Sequence, residues 1–218
     1  MCIRDRIMIV SQQNSVNNRS ASTIAAWKIG VDHPTEVVCS GPKYQYPYAS
    51  DGIHMGTEGY ERLGEKYGQV YFERVVLGHD WQPLQPTSVE RTSARDITVR
   101  FHVPVPPLVW DETFTPPHAD KPEWQSGKGF ELRGPTGDLA IASVSIECDS
   151  VKITAAADLP ATGVFIGYAL SGNTTTMLSA PFYGTFRWGQ LRDSDPFVGR
   201  MTEEAQPNYA VAFELPVP

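Results

Sequence analysis

Residues 50–78 read SDGIHMGTEGYERLGEKYGQVYFERVVLG, and the fold turns on how this stretch divides. Its second part carries Tyr60, Leu63, Tyr67, Val70, Tyr71 and Val75 at three- and four-residue steps, with Glu61, Glu65, Lys66 and Glu73 between them. That period predicts an amphipathic helix whose apolar stripe packs against a sheet. Gly56 or Thr57 caps its start, Glu58 suits the positive end of the helix dipole, and Gly78 closes it. Ahead of the helix, Asp51 and His54 stand three residues apart. An aspartate that accepts the Nδ1 proton of a histidine fixes the tautomer and frees Nε2 to act as a general base. Chance supplies that spacing easily, so its position in the fold must decide its meaning.

Upstream, EVVCSG (36–41) is a short apolar strand ending in glycine, followed by the Tyr- and Pro-rich loop that leads to Asp51. Before it, SASTIAAWKIGVDHP (20–34) carries Ile24, Trp27 and Ile29 among alanines, with Ser20 or Ser22 as N-cap and Pro34 as stop; this predicts a helix. IMIV (7–10) predicts a strand buried on both faces. Strand, helix, strand, loop, helix is the order of βαβ units on a parallel sheet. The Asp51/His54 pair then follows the carboxyl end of a parallel strand, where open α/β sheets place ligands and reacting groups.

The block SDGIHMGTEGYERLGE (50–65) resembles the last conserved block of the SGNH (GDSL-type) hydrolases, an Asp-x-x-His followed by a capped helix with a Gly-Tyr pair; the similarity runs from about Ile7 to Gly78. The resemblance implies a partial doubly wound parallel sheet of flavodoxin-like type. It also implies a serine esterase acting on ester groups, often acetyl groups, of carbohydrate. Asp51 and His54 are the catalytic residues it assigns, His54 as general base and Asp51 as its orienter. It calls for no cofactor and no metal, and the partner is a carbohydrate ester or glycan.

The Gly-Asp-Ser and Gly-x-Asn-Asp motifs of that family, which supply nucleophile and oxyanion hole, are absent from the sequence. Ser11, Ser15 and Ser20 are the serines that the order of elements can bring near the pair, while CDS (148–150) and RDSD (192–195) read as turns. A doubly wound domain takes about five strands and well over 100 residues. Residues 1–78 supply two strands and two helices. They are therefore expected to be the C-terminal portion of an α/β hydrolase domain, with the nucleophile serine outside the chain. The opening MCIRDR resembles the translated adapter read-through found at the ends of assembled environmental sequences, so residues 1–6 are expected to be an assembly artefact.

Downstream the period changes. RDITVRFHV (95–103) alternates Ile97, Val99, Phe101 and Val103 with polar residues, and FELRG (130–134), LAIASVSIEC (139–148), VKITAA (151–156), GVFIGYAL (163–170) and NYAVAFEL (208–215) follow between turn-rich segments. Many short strands without helical stretches predict an antiparallel β-sandwich over residues 79–218, with Pro83 and Pro86 breaking the chain at the boundary. Pro104, Pro106 and Pro107 predict an extended edge segment. Trp81, Trp110, Trp124 and Trp188 read either as a sugar-stacking platform or as core. His102, His118, Asp111 and Glu112 match no metal-ligand spacing and read as solvated surface. These features leave an alternative, a non-catalytic carbohydrate-binding or virion or cell-surface appendage protein built on the sandwich.

The 218 residues carry a formal charge of -7, which excludes nucleic acid as a partner for want of clustered cations. Cys2, Cys39 and Cys148 are too far apart for a disulfide framework or a zinc knuckle and leave the compartment open. No apolar run reaches the ~18 residues of a membrane-spanning helix, and no membrane partner is expected.

Overall fold

A computed structural model describes residues 7–14, 21–49, 51, 53–171 and 188–218. Met1–Arg6, Ser15 and Ser20 lie outside the described residues, as do Ser50 and Gly52 of the opening stretch.

Strands β1 (Met8–Gln12) and β2 (Val37–Pro42) pair in parallel, Met8 opposite Val37 and Val10 opposite Cys39, and helix α1 (Ala21–Asp32) crosses between them. This is the βαβ unit that the element order requires. β2 is buried along its whole length. β1 is not, contrary to expectation: Met8 is 61% exposed and Ile9 and Val10 are half-buried. Among the described residues β1 has a strand partner on one side, so its apolar run meets fewer neighbours than a central strand would. α1 buries Thr23 and Trp27 and leaves Ile29 exposed, so the expected inner set narrows to one tryptophan and its flanks.

Helix α2 (Thr57–Tyr71) begins at Gly56, whose extended backbone (φ -68°, ψ 171°) turns the chain into the helix. Its last turn widens into a π-helical segment (Phe72–Val76), and Gly78 at φ 71° stops it, the left-handed geometry glycine adopts at low cost. The buried stripe is Gly59, Leu63, Lys66 and Val70. It is rotated by about one residue from the sequence reading, so Tyr60 and Tyr71 are half exposed while Lys66 is fully buried.

The rest of the chain is antiparallel. One four-stranded sheet orders β3 (Gln85–Arg91), β4 (Asp96–His102), β9 (Ser150–Ala155) and β8 (Ile141–Glu147) as β3-β4-β9-β8; another orders β12 (Phe213–Pro216), β10 (Phe165–Tyr168), β6 (Phe130–Gly134) and β7 (Gly137–Leu139) as β12-β10-β6-β7. β5 (Val109–Trp110) and β11 (Leu191–Arg192) form a separate short pair. The expected alternation holds in β4, whose Ile97, Val99 and Phe101 are buried. β3 begins within the segment whose prolines mark the expected boundary: Pro86 is tolerated because the β3–β4 register shifts between Pro86 and Ser88.

Both sheets contribute to one core, Val99 and Ile153 from the first, Phe130, Ile166 and Phe213 from the second. Trp27, Cys39 and Tyr44 from the βαβ unit join the same core. Polar side chains stitch this seam: Gln12 donates Nε2 to the Ala212 carbonyl at 2.8 Å and accepts the Ala212 amide at 2.7 Å, Trp27 Nε1 donates to Gln85 Oε1 at 2.7 Å, and Tyr44 donates to the Ala210 carbonyl at 2.7 Å. The fold is thus mixed, rich in antiparallel sheet, with one parallel βαβ unit. No helix of the described residues is long and apolar enough to cross a membrane.

Candidate active site

The segment after β2 turns through a 3-10 turn (Lys43–Gln45), and Tyr48 and Met55 then pair as an isolated antiparallel bridge. The Ala49 amide donates to the His54 carbonyl at 2.7 Å and the Gly56 amide to the Pro47 carbonyl at 3.2 Å, so Ala49 and His54 are tied together just ahead of α2. Tyr46, Tyr48, Met55 and Leu63 pack beneath it as a small separate cluster, with Tyr67 against its edge. Gly59 lets the helix approach this arm: a methyl there would stand 2.4 Å from the Pro47 carbonyl oxygen.

The loop brings Asp51 and His54 together. Asp51 Oδ2 lies 2.7 Å from His54 Nδ1, and Asp51 Oδ1 accepts the Ile53 and His54 amides at 2.9 and 3.0 Å. The hydrogen bond from His54, then the two amides, hold the Asp51 carboxyl down at about 2, so it is an acceptor at neutral pH. An ionised carboxylate accepts only, so Nδ1 carries the proton and Nε2 of a neutral ring presents its lone pair. Nε2 makes no hydrogen bond among the described residues, and the side chain is 70% exposed. The arrangement is an imidazole held in one tautomer with Nε2 accessible.

Of the three serines, Ser11 is described; its hydroxyl is 2.9 Å from the Tyr67 hydroxyl. Of the segments read as turns, CDS is one, Cys148 and Asp149 turning between β8 and β9, while RDSD is more than that. Arg192 lies in β11, and Asp193 is fully buried, its carboxylate accepting the Val105, Asp195 and Asn208 amides and the Asn208 side chain. Burial pushes the Asp193 carboxyl up from its ordinary value, against the Asn208 bonds. Lys66 completes this cluster from α2, donating to Gln69, the Gln206 carbonyl and Asn208 at 2.7, 2.6 and 3.1 Å. Burial lowers its ammonium to about 8, while the carboxylates of Asp195 and Asp193 pull the other way. A lysine with three fixed acceptors can lie inside; its amphipathic spacing alone gave no sign of them.

His118 and Asp111 are not solvated surface. His118 is fully buried and in left-handed backbone geometry (φ 62°); its Nε2 is 3.2 Å from the buried Glu131 carboxylate and 2.9 Å from the Ser171 carbonyl. Asp111 accepts from Tyr209 and Thr113 and faces Arg192. Trp124 and Trp188 are core residues, leaving Trp81 and Trp110 half-buried. Among the described residues no three His, Cys, Asp or Glu side chains are grouped to hold a metal.

No protein-family model matches the chain, and no curated protein does. Among solved structures, a carbohydrate acetylesterase from Xanthomonas citri is similar over 96% of this chain, with a TM-score of 0.53 and 12% identity. The N-terminal part of the bacterial S-layer protein SbsC is similar over 76% of the chain at a TM-score of 0.34 and 10% identity, covering 29% of that structure. The chain spans 41% of the acetylesterase structure. At that identity the likeness shows the fold alone.

Proposed function

We propose that the chain is the C-terminal portion of an SGNH-type serine esterase that removes ester groups, O-acetyl groups first among them, from carbohydrate. The observation that carries this reading is the 2.7 Å contact of Asp51 Oδ2 with His54 Nδ1, which leaves Nε2 accessible on the segment that follows parallel strand β2 and leads into α2. The fold likeness to a carbohydrate acetylesterase supports it, as does the helix that follows the pair. On this reading the βαβ unit belongs to a flavodoxin-like sheet, residues 79–218 are its accessory β domain, and the serine comes from outside these 218 residues.

The chemistry follows from the geometry. The serine oxygen attacks the ester carbonyl carbon while its proton passes to His54 Nε2, and Asp51 stabilises the imidazolium across Nδ1. His54 then returns the proton to the departing sugar hydroxyl, leaving an acyl-enzyme. Water attacks that ester with His54 again as base, releasing the carboxylic acid and the serine. No metal or cofactor takes part in this scheme.

The test is acetate release from an acetylated polysaccharide by the full reading frame that contains this chain. His54→Ala is expected to lower the rate by about 10²–10⁴-fold, the range for a lost general base. Hydrolysis that survives the substitution unchanged would overturn the assignment.

A further inference from the structure

A cavity of about 380 Å³ lies between α2 and the β5–β11 pair, within the roughly 300–1,000 Å³ of small-molecule sites. Neither Asp51 nor His54 lines it. Its wall joins the candidate active site through two elements: Gln45 sits in the 3-10 turn ahead of the Asp51 loop, and Arg62 stands on α2 beside Leu63, which packs under that loop.

The hydrogen-bonding capacity of this wall is one-sided. Each of its two carboxylates already accepts three protein donors. Asp111 takes the Thr113 amide and hydroxyl on one oxygen and the Tyr209 hydroxyl on the other. Asp195 takes the Phe197 amide on Oδ1 and the Gln69 and Asn208 side chains on Oδ2. The two guanidinium groups are not saturated. Arg62 reaches Glu58 and the Ala205 carbonyl only at 3.5 and 3.4 Å, and its Nε is buried without a hydrogen bond among the described residues. Arg192 donates to the Asp193 carbonyl at 2.8 Å, while its Nε, 3.4 Å from Asp111, likewise makes no hydrogen bond there. Each guanidinium has five N–H donors, the contacts above use only some of them, and the side chains are 20% and 30% exposed, so donors remain for a ligand; planar guanidinium groups match carboxylates best. Gln45, Thr113 and Ser194 add neutral polar atoms suited to hydroxyl groups.

We propose that this cavity binds the carboxylate of a uronate residue, with Arg62 and Arg192 as its ligands, so that the ester-bearing glycan is an acidic one. The substrate class rests on the carbohydrate esterase reading; the carboxylate site rests on the cavity itself.

The test is a titration of the full chain followed by amide NMR, with sodium D-glucuronate, D-glucose and sodium acetate as probes. Glucuronate is expected to shift the amides of Thr113, Ser194 and Tyr209 in a saturable manner that weakens with added salt, while acetate at equal concentration shifts them less and glucose does not. Arg62→Gln is expected to weaken glucuronate binding at least tenfold. Arg192→Gln, scored the same way, covers the case in which the first variant fails to fold, which its own spectrum reports. Absence of glucuronate shifts, equal shifts from glucose or acetate, or affinity unchanged in a folded variant would each overturn the proposal. Because no ester is cleaved in this experiment, its failure would remove the uronate site and leave the hydrolase reading to its own test.

Discussion

Of the three histidine–carboxylate pairs among the described residues, Asp51–His54 and Glu131–His118 are built for opposite ends. In the pair Asp51–His54 the carboxylate meets Nδ1 at 2.7 Å and the imidazole stands 70% exposed. In the pair Glu131–His118 both side chains are fully buried, and the carboxylate meets Nε2 at 3.2 Å. A serine stands beside the buried pair too, Ser171 Oγ at 3.5 Å from His118, but it approaches the nitrogen that already donates to Glu131 and to the Ser171 carbonyl. A base must keep one nitrogen for its orienter and the other for the proton it takes. Of these two only the first meets that condition; Glu73–His79, with the carboxylate on Nδ1 at 2.7 Å and the imidazole 63% exposed, shares the geometry, but it sits at the far end of α2 from the Asp51 loop. In the buried pair, Glu131 also accepts the Leu170 and Ser171 amides and contacts Arg133, so it fixes the β6–β10 region. His118 and Arg133 hold its carboxyl below the ordinary value although burial alone would raise it. Polar groups buried with their charge paired inside the protein are architecture, even where one atom, His118 Nδ1, lies buried without a hydrogen bond among the described residues. A group with an accessible atom to spare is a candidate for chemistry.

This contrast can be broken by mutation. Glu131→Ala removes the charge that partners His118 and Arg133 and should cost about 3–5 kcal/mol of stability; urea denaturation measures it. Asp51→Ala, at the exposed pair, should shift the urea midpoint by much less. A midpoint shift of equal size in both variants would erase the distinction between the two pairs.

Lys66→Met tests the same principle on α2. The methionine fills most of the volume but leaves Asn208 Oδ1 and the Gln206 carbonyl without their donor, an expected loss of about 2–3 kcal/mol by the same denaturation assay. A neutral result would show that the ammonium is dispensable in the core.

The smallest effect is the titration of Asp51. Its folded carboxyl lies at about 2 against an ordinary 3.8, so its contribution to stability is present above the unfolded value and is lost as pH falls toward about 2. Carboxyl NMR should place its midpoint near the lower value. His54→Ala should move it part of the way back, since the Ile53 and His54 amides remain. A midpoint that does not respond to His54→Ala would deny the contact.

Local pattern made the βαβ order, the capped helix after His54 and the alternation of β4 legible in the sequence, because each depends on residues a few positions apart. The same holds for Asp51 and His54, which stand three residues apart. Lys66, Asp193 and Asn208 were not legible, since what makes a lysine or an aspartate internal is a set of acceptors and donors up to 142 residues away. His118 and Glu131 escaped for the same reason: FELRG reads as an alternating strand, and alternation assigns Glu131 to solvent. The cavity arginines carry no sequence signal at all; Arg62 falls on the polar side of the helix and Arg192 in a segment that reads as a turn.

The central claim is that His54, oriented by Asp51, activates a serine supplied from outside these residues. Labelling the full reading frame with a fluorophosphonate probe, and mapping the modified residue by mass spectrometry, tests it most directly. The account predicts one labelled serine outside residues 7–218, lost in His54→Ala. Labelling of a serine within them, or labelling indifferent to His54, would contradict it.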